Sequence, residues 1–287
     1  GLGDVYKRQD LSYTATKAGW TFAGWNTNKD ATTGLTSLEM KNADVTLYAI
    51  YKKTINVSYT KGTGISAIGK TSDSCVMYNN ATSCQITLPS ITSLTGYGVD
   101  GWYNSSNTKV GTEGTKGNVS SNITYTAKAS DVTKPTISLS PNTGATYVSG
   151  GKAVTVNLSD SGSGLKASQS IYYAWSTSNA TVPSSWSSVT STNTAGAKSA
   201  TVTVPATSNS SLTGTYYLWI KAGTLSDVSG NTSNQVVSAL FKFDNTNPTV
   251  SVSTSKTTKS ITAVATASAT SGISKYEFSK DNGTTWI

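Results

Sequence analysis

The 287-residue chain contains no histidine, which removes the commonest general base and the commonest metal ligand at neutral pH. Glutamate is nearly as scarce. Glu39, Glu113 and Glu277 are the only ones and fall in separate stretches, so nothing suggests the paired carboxylates, about 5 to 10 Å apart, that glycoside hydrolysis needs. Serine and threonine are abundant, but a hydroxyl nucleophile without a base beside it is inert. The one glycine-rich stretch with a phosphate-loop look, "GTGISAIG" (62–69), lacks the Lys-Ser/Thr ending and reads as a turn. No apolar run approaches the ~18 residues of a membrane-spanning helix. These absences predict a chain that is not an enzyme and carries no catalytic cofactor.

What is present is Thr, Ser, Asn and Gly around short β-branched and aromatic runs, with only 13% of residues charged; this mixture predicts β structure throughout. The length allows two or more domains of roughly 100 to 150 residues. The formal charge of +8 comes from scattered lysines. That distribution leaves open a plain solvated surface or attraction to an anionic polymer such as a cell wall, and it lacks the basic run of a nucleic-acid-binding arm.

Arg8 is the only arginine, and it lies in the opening "GLGDVYKRQ". "DVYKRQ" resembles a translated frame of the transposase-end adapter used to fragment DNA for sequencing. Residues 1–9 are therefore expected to be an artefact, with the natural module starting near Asp10 and missing its beginning.

Two pairs of internal repeats organise the rest. "GWTFAGWNT" (19–27) returns as "GYGVDGWYN" (96–104), and "DVTLYA" (44–49) as "NITYTA" (122–127). Further on, "KPTISLS" (134–140) returns as "NPTVSVS" (247–253), "SGLK" as "SGIS", and "YAWS" (173–176) as "YEFS" (276–279). Units of this size are whole domains. Pro135 and Pro248 follow polar junctions, where a first edge strand can begin without a proline N–H. The expected divisions are 10–53, 54–130, 131–246 and 247–287, the first and last incomplete.

Alternation is legible in the third stretch. Val154, Val156 and Leu158 share a face, as do Ile171, Tyr173 and Trp175, and Val202 and Val204. Tyr216, Leu218 and Ile220 alternate with Tyr217, Trp219 and Lys221, and Val237, Ala239, Phe241 and Phe243 align. Short alternating strands with turn clusters between them predict an antiparallel sandwich.

Through "TKAGWTFAGWNT" and "ADVTLYAIY", residues 10–53 resemble the internalin-type B repeat, or Listeria/Bacteroides repeat, which implies a small β-grasp-like fold. Residues 54–130 resemble a divergent copy that lacks the central aromatic and carries an inserted hairpin. Residues 131–246, with "PTISLSPN", "SDSGSGL", "GTYYLWIKA" and "DVSGN", are similar to bacterial immunoglobulin-like domains of extracellular repeat proteins, and 247–287 to the start of another. The fold class expected is mainly β: β-grasp-like repeats followed by immunoglobulin-like sandwiches, monomeric modules arranged as beads on a string.

Few residues qualify as site candidates. Cys75 and Cys84 flank the turn-forming Asn79 and Asn80; a hairpin there would set the thiols opposite each other for a disulfide, whereas metal binding would need two more ligands. The pairing fits export. Asp131, Asp160, Asp227 and Asn231 lie in segments that gather at one end of an immunoglobulin-like sandwich, where they would form a structural Ca2+ clamp; short acids also favour turns with no ion. Trp20, Trp25 and Trp102 are expected to fill cores. Tyr172, Tyr217 and Trp219 fall on the outward parity, open either to glycan stacking or to packing against a neighbour. The reading as a whole is an extracellular, cell-surface stalk of an adhesin-like protein. Two alternatives remain, a module binding host or cell-wall glycans or proteins, and an accessory region of a secreted hydrolase.

Overall fold

A computed structural model describes residues 11–39 and 43–287; the adapter-like start lies outside the described residues. Among them there is no α-helix, and apart from one 3-10 turn at Ala206–Ser208 the regular structure is all strand. It divides into two compact units, the first ending at Asp131 and the second starting at Val132.

The first unit contains β1 (Thr21–Asn26), β2 (Tyr48–Lys61), β3 (Ile65–Ile68), β4 (Ser72–Tyr78), β5 (Cys84–Thr87), β6 (Ile91–Ser93), β7 (Tyr97–Tyr103), β8 (Lys109–Gly111), β9 (Lys116–Val119) and β10 (Ile123–Asp131). Its main sheet runs β1-β2-β10-β7-β8, with β4 also on β2. β2 and β10 are parallel, and the long connection that parallel pairing requires carries the ribbons β3/β6 and β5/β9. A parallel central pair flanked by antiparallel strands is the arrangement a β-grasp-like module needs.

β2 is the spine of this unit. It runs unbroken through the 53/54 division expected from the repeats: Tyr48–Lys52 pairs with β1, and Val57–Lys61 pairs with β10. Along its other edge, Lys52–Ser58 pairs with β4. Ile50 is fully buried on one face, while Ile55, Val57 and Tyr59 are buried on the other, because an even-to-odd change of position crosses the sheet. The odd set joins Met77, Ile86, Trp102, Tyr125 and Ala127 in one core, against which Trp20 of the first repeat also packs.

The shared Gly-Trp step of the two repeats has one cause in both places. Gly24 has φ +117°, and a Cβ there would lie 2.6 Å from Gly34 Cα; Gly101 has φ +129°, and its Cβ would lie 2.6 Å from the Gly111 oxygen. Each sits where the pairing register shifts, so the backbone bends and a neighbouring chain closes on it.

The second unit contains β11 (Thr136–Ser140), β12 (Gly144–Val148), β13 (Val154–Ser159), β14 (Ser170–Ser176), β15 (Ser187–Thr190), β16 (Ser199–Val204), β17 (Gly214–Ile220), β18 (Val236–Val237), β19 (Phe241–Phe243), β20 (Thr249–Lys256) and β21 (Ile261–Ser268). Sheets β11-β13-β16 and β12-β19-β17-β14-β15 enclose one core. The alternating sets read from the sequence supply it: Val154, Val156, Leu158, Ile171, Val204, Leu218 and Ile220 are almost wholly buried. Trp175 meets Phe241 and Phe243 edge-on, 5.3 Å from each ring centre.

The run 236–243 departs from the expected alignment. Phe241 pairs with Tyr216, but Val237 pairs with Trp219, one residue out of step. The intervening bulge puts Val236, not Val237, against the core and turns Ser238 inward, where its Oγ accepts the Leu218 N–H at 2.8 Å. A one-residue slip exchanges the faces of everything beyond it. β20 and β21 form a hairpin whose residues are mostly exposed.

Candidate functional site

Cys75 and Cys84 are joined by a disulfide. The expected hairpin between them is absent. β4 pairs with β2 and β5 with β9, so the bond links the main sheet to a separate ribbon at the edge of the core. The turn at Asn79 is used differently. With φ +56°, Asn79 exchanges hydrogen bonds with Tyr51 on β2, and its Nδ2 donates to the Lys29 and Ala31 carbonyls of the first repeat. Sequence reasoning took Asn79 as a turn former only, although a left-handed Asn leaves its amide available for such contacts. Closing a loop of this length stabilises by about 2 to 3 kcal/mol. Ellman titration of the denatured, unreduced protein is therefore expected to find no free thiol. Reduction should lower the melting temperature of the first unit by about 8 °C or more; an unchanged melt would mean the crosslink constrains nothing.

Asp160 and Asp227 meet in the second unit. Asp160 follows β13 and Asp227 lies in the turn after β17; they are 3% and 0% exposed, and their nearest carboxylate oxygens lie within 4.8 Å of one another. Asp160 Oδ2 accepts the Gly164 N–H at 2.6 Å, while Oδ1 is buried with no hydrogen-bond partner among the described residues. Asp227 accepts the Asn231 N–H at 2.8 Å and the Asn231 Nδ2–H at 2.7 Å. The two loops are stitched together: the Val228 N–H donates to the Gly164 carbonyl, and Leu165 and Asp227 form a β-bridge. Gly164 was missed in the sequence. At φ +84°, with a Cβ that would lie 2.3 Å from the Gly196 oxygen, no other residue fits. Asp131 is the last residue of β10 and of the first unit, and is 4% exposed.

The junction at 244–248 is satisfied in another way. Asp244 Oδ2 accepts the Ser271 N–H at 2.9 Å and Oδ1 accepts from Thr246. Hydrogen bonds from Ser271 first, and then Thr246, hold its carboxyl at about 2, below the usual carboxylate range.

The aromatic candidates separate. Trp219 has the outward parity but is only 1% exposed, with its Nε1–H donating to the Ser178 carbonyl at 2.9 Å. At that burial it cannot stack on a sugar; alternation reports a face and not what lies over it. Tyr172 is 42% exposed, with the Lys221 ammonium 5.6 Å from its ring centre, and Tyr217 is half-buried. Trp102 is fully buried and Trp20 packs partly buried against the same core, as expected, whereas Trp25 is half-buried, edge-on to Phe22 and outside both cores.

Among the described residues no helix is long and apolar enough to cross a membrane. The fold and its crosslink define a class of disulfide-bearing, all-β repeat proteins. Within the chain, residues 6–50 match the model of the Listeria-Bacteroides repeat domain. No curated protein and no solved structure matches the chain.

Proposed function

We propose that the chain is a non-catalytic spacer, or stalk, region of a bacterial cell-surface or secreted adhesin-like protein. The observation that carries this reading is β2, a single strand that serves two successive repeats and leaves no linker between them. A chain built to catalyse or to bind a small ligand has no need of such a splice; a chain built to hold other regions apart does, because an unbroken strand has no hinge. Three further features agree. The repeat matched at 6–50 is typical of surface-associated proteins, the disulfide suits an oxidising compartment, and the strand order of the second unit is the one an immunoglobulin-like sandwich would have.

The test is a binding and turnover screen. The chain is expected to show no saturable binding to peptidoglycan, teichoic acid or a glycan array, and no product on incubation with polysaccharides. Saturable binding that Tyr172→Ala removes would replace the spacer with a glycan-binding module. A hydrolysis product would replace it with an enzyme.

A further inference from the structure

From the second unit alone, we propose that Asp160 and Asp227 bind a divalent cation of the Ca2+ class. Two buried carboxylates within 4.8 Å of each other repel unless something positive lies between or beside them. The two lysines that line the cavity beside Asp160 are bonded to other groups: Lys198 Nζ donates to the Gly162 carbonyl and Lys134 Nζ to Asn234 Oδ1. Neither aspartate is in an ion pair among the described residues.

Asp160 Oδ1 adds the second observation. It is a buried acceptor that no donor meets, and such an atom normally has a protein, water or ion partner. Carboxylate oxygens in the absence of His and Cys form a hard donor set, which selects Ca2+ over zinc or copper. Preorganisation comes from Gly164, whose N–H fixes one oxygen of Asp160, and from Asn231, whose two N–H groups orient Asp227. A cavity of about 260 Å3 opens beside Asp160 between Thr136, Ser161 and Lys198, wide enough for a hydrated ion to enter. The following repeat does not reproduce the arrangement: its corresponding loop carries no carboxylate, and Asp244 takes protein donors instead.

The alternative occupant is a proton shared between the two carboxyls, and calorimetry separates the two. EDTA-treated protein titrated with CaCl2 is expected to give one saturable site with Kd near or below about 1 mM, and 5 mM CaCl2 should raise the melting temperature of the second unit by about 4 °C. Asp160→Asn should weaken binding at least tenfold while keeping the far-UV spectrum, because it removes an uncompensated charge without changing shape. Asp227→Asn gives the same reading if Asp160→Asn fails to fold. No heat and no melting shift in the unsubstituted protein would overturn the proposal, as would an equal shift from NaCl of matched ionic strength or full retention of the Ca2+ response in Asp160→Asn. The result is independent of the spacer reading, since a binding module would need the same loops held in place.

Discussion

Trp102→Ala is expected to remove about 3 to 5 kcal/mol from the stability of the first unit. Trp102 is wholly buried, its ring centre lies 5.0 Å from that of Tyr59, and its Nε1–H donates to the Pro89 carbonyl at 2.9 Å. Truncation therefore opens a cavity in the middle of the core and leaves a carbonyl without its donor. Tyr59 is exposed to the same loss. Burial first, and then the charge of Asp73 and the ionising hydroxyl of Tyr125, push its hydroxyl up to about 12, so a cavity that admits water should bring its ionisation back toward the ordinary tyrosine range. Urea unfolding followed by far-UV circular dichroism measures the stability change, and absorbance at high pH follows Tyr59. Trp102→Phe should fall between the two, keeping most of the packing and losing the hydrogen bond. A loss below about 1 kcal/mol for Trp102→Ala would mean that the ring sits over the core and not within it.

Much of the second unit was legible because its strands are local statements about parity. Val154, Val156 and Leu158, and Val202 and Val204, alternate without interruption, and the structure buries them as read. What escaped depends on events that parity does not encode. The slip between Phe241 and Val237 needs an unpaired residue at 238–240, which carries no glycine to announce it. Trp219 is buried despite its outward parity, and its ring N–H finds a carbonyl 41 residues away in sequence. The cysteine pair was legible as a pair, since two cysteines near a turn have little else to do. The strands that bear them were not, because each finds its hydrogen-bonding partner far from the turn, β4 on β2 and β5 on β9. At the acidic loops, Asp160, Asp227 and Asn231 could be named from turn composition, but the orphan Oδ1 of Asp160 and the glycine that holds its other oxygen are properties of three dimensions.

Lys53→Pro is expected to be the most disruptive single change at an exposed or half-buried position in the first unit, with a cost on the order of 3 kcal/mol, while Lys53→Ala should cost less than about 0.5 kcal/mol. The difference follows from where the backbone N–H groups of β2 point. The Asn56 N–H leaves β2 on the side away from β4, toward Asn122 Oδ1, and the Tyr51 N–H leaves on the opposite side, toward Asn79 Oδ1. Successive residues alternate, so the Lys53 N–H faces β4, where Lys53 stands opposite Met77. Proline there removes a donor from the middle of the ladder and places its ring against β4; alanine leaves the ladder intact. Position 53 also lies between the segment of β2 that holds β1 and the segment that holds β10. If one strand serves both repeats, a break at Lys53 must weaken both sides of it. Hydrogen exchange should then show protection falling together in 21–26 and in 123–127. Loss confined to 21–26 would mean that the two repeats fold separately and merely share a line of backbone, and the continuous strand would no longer support a hinge-free spacer.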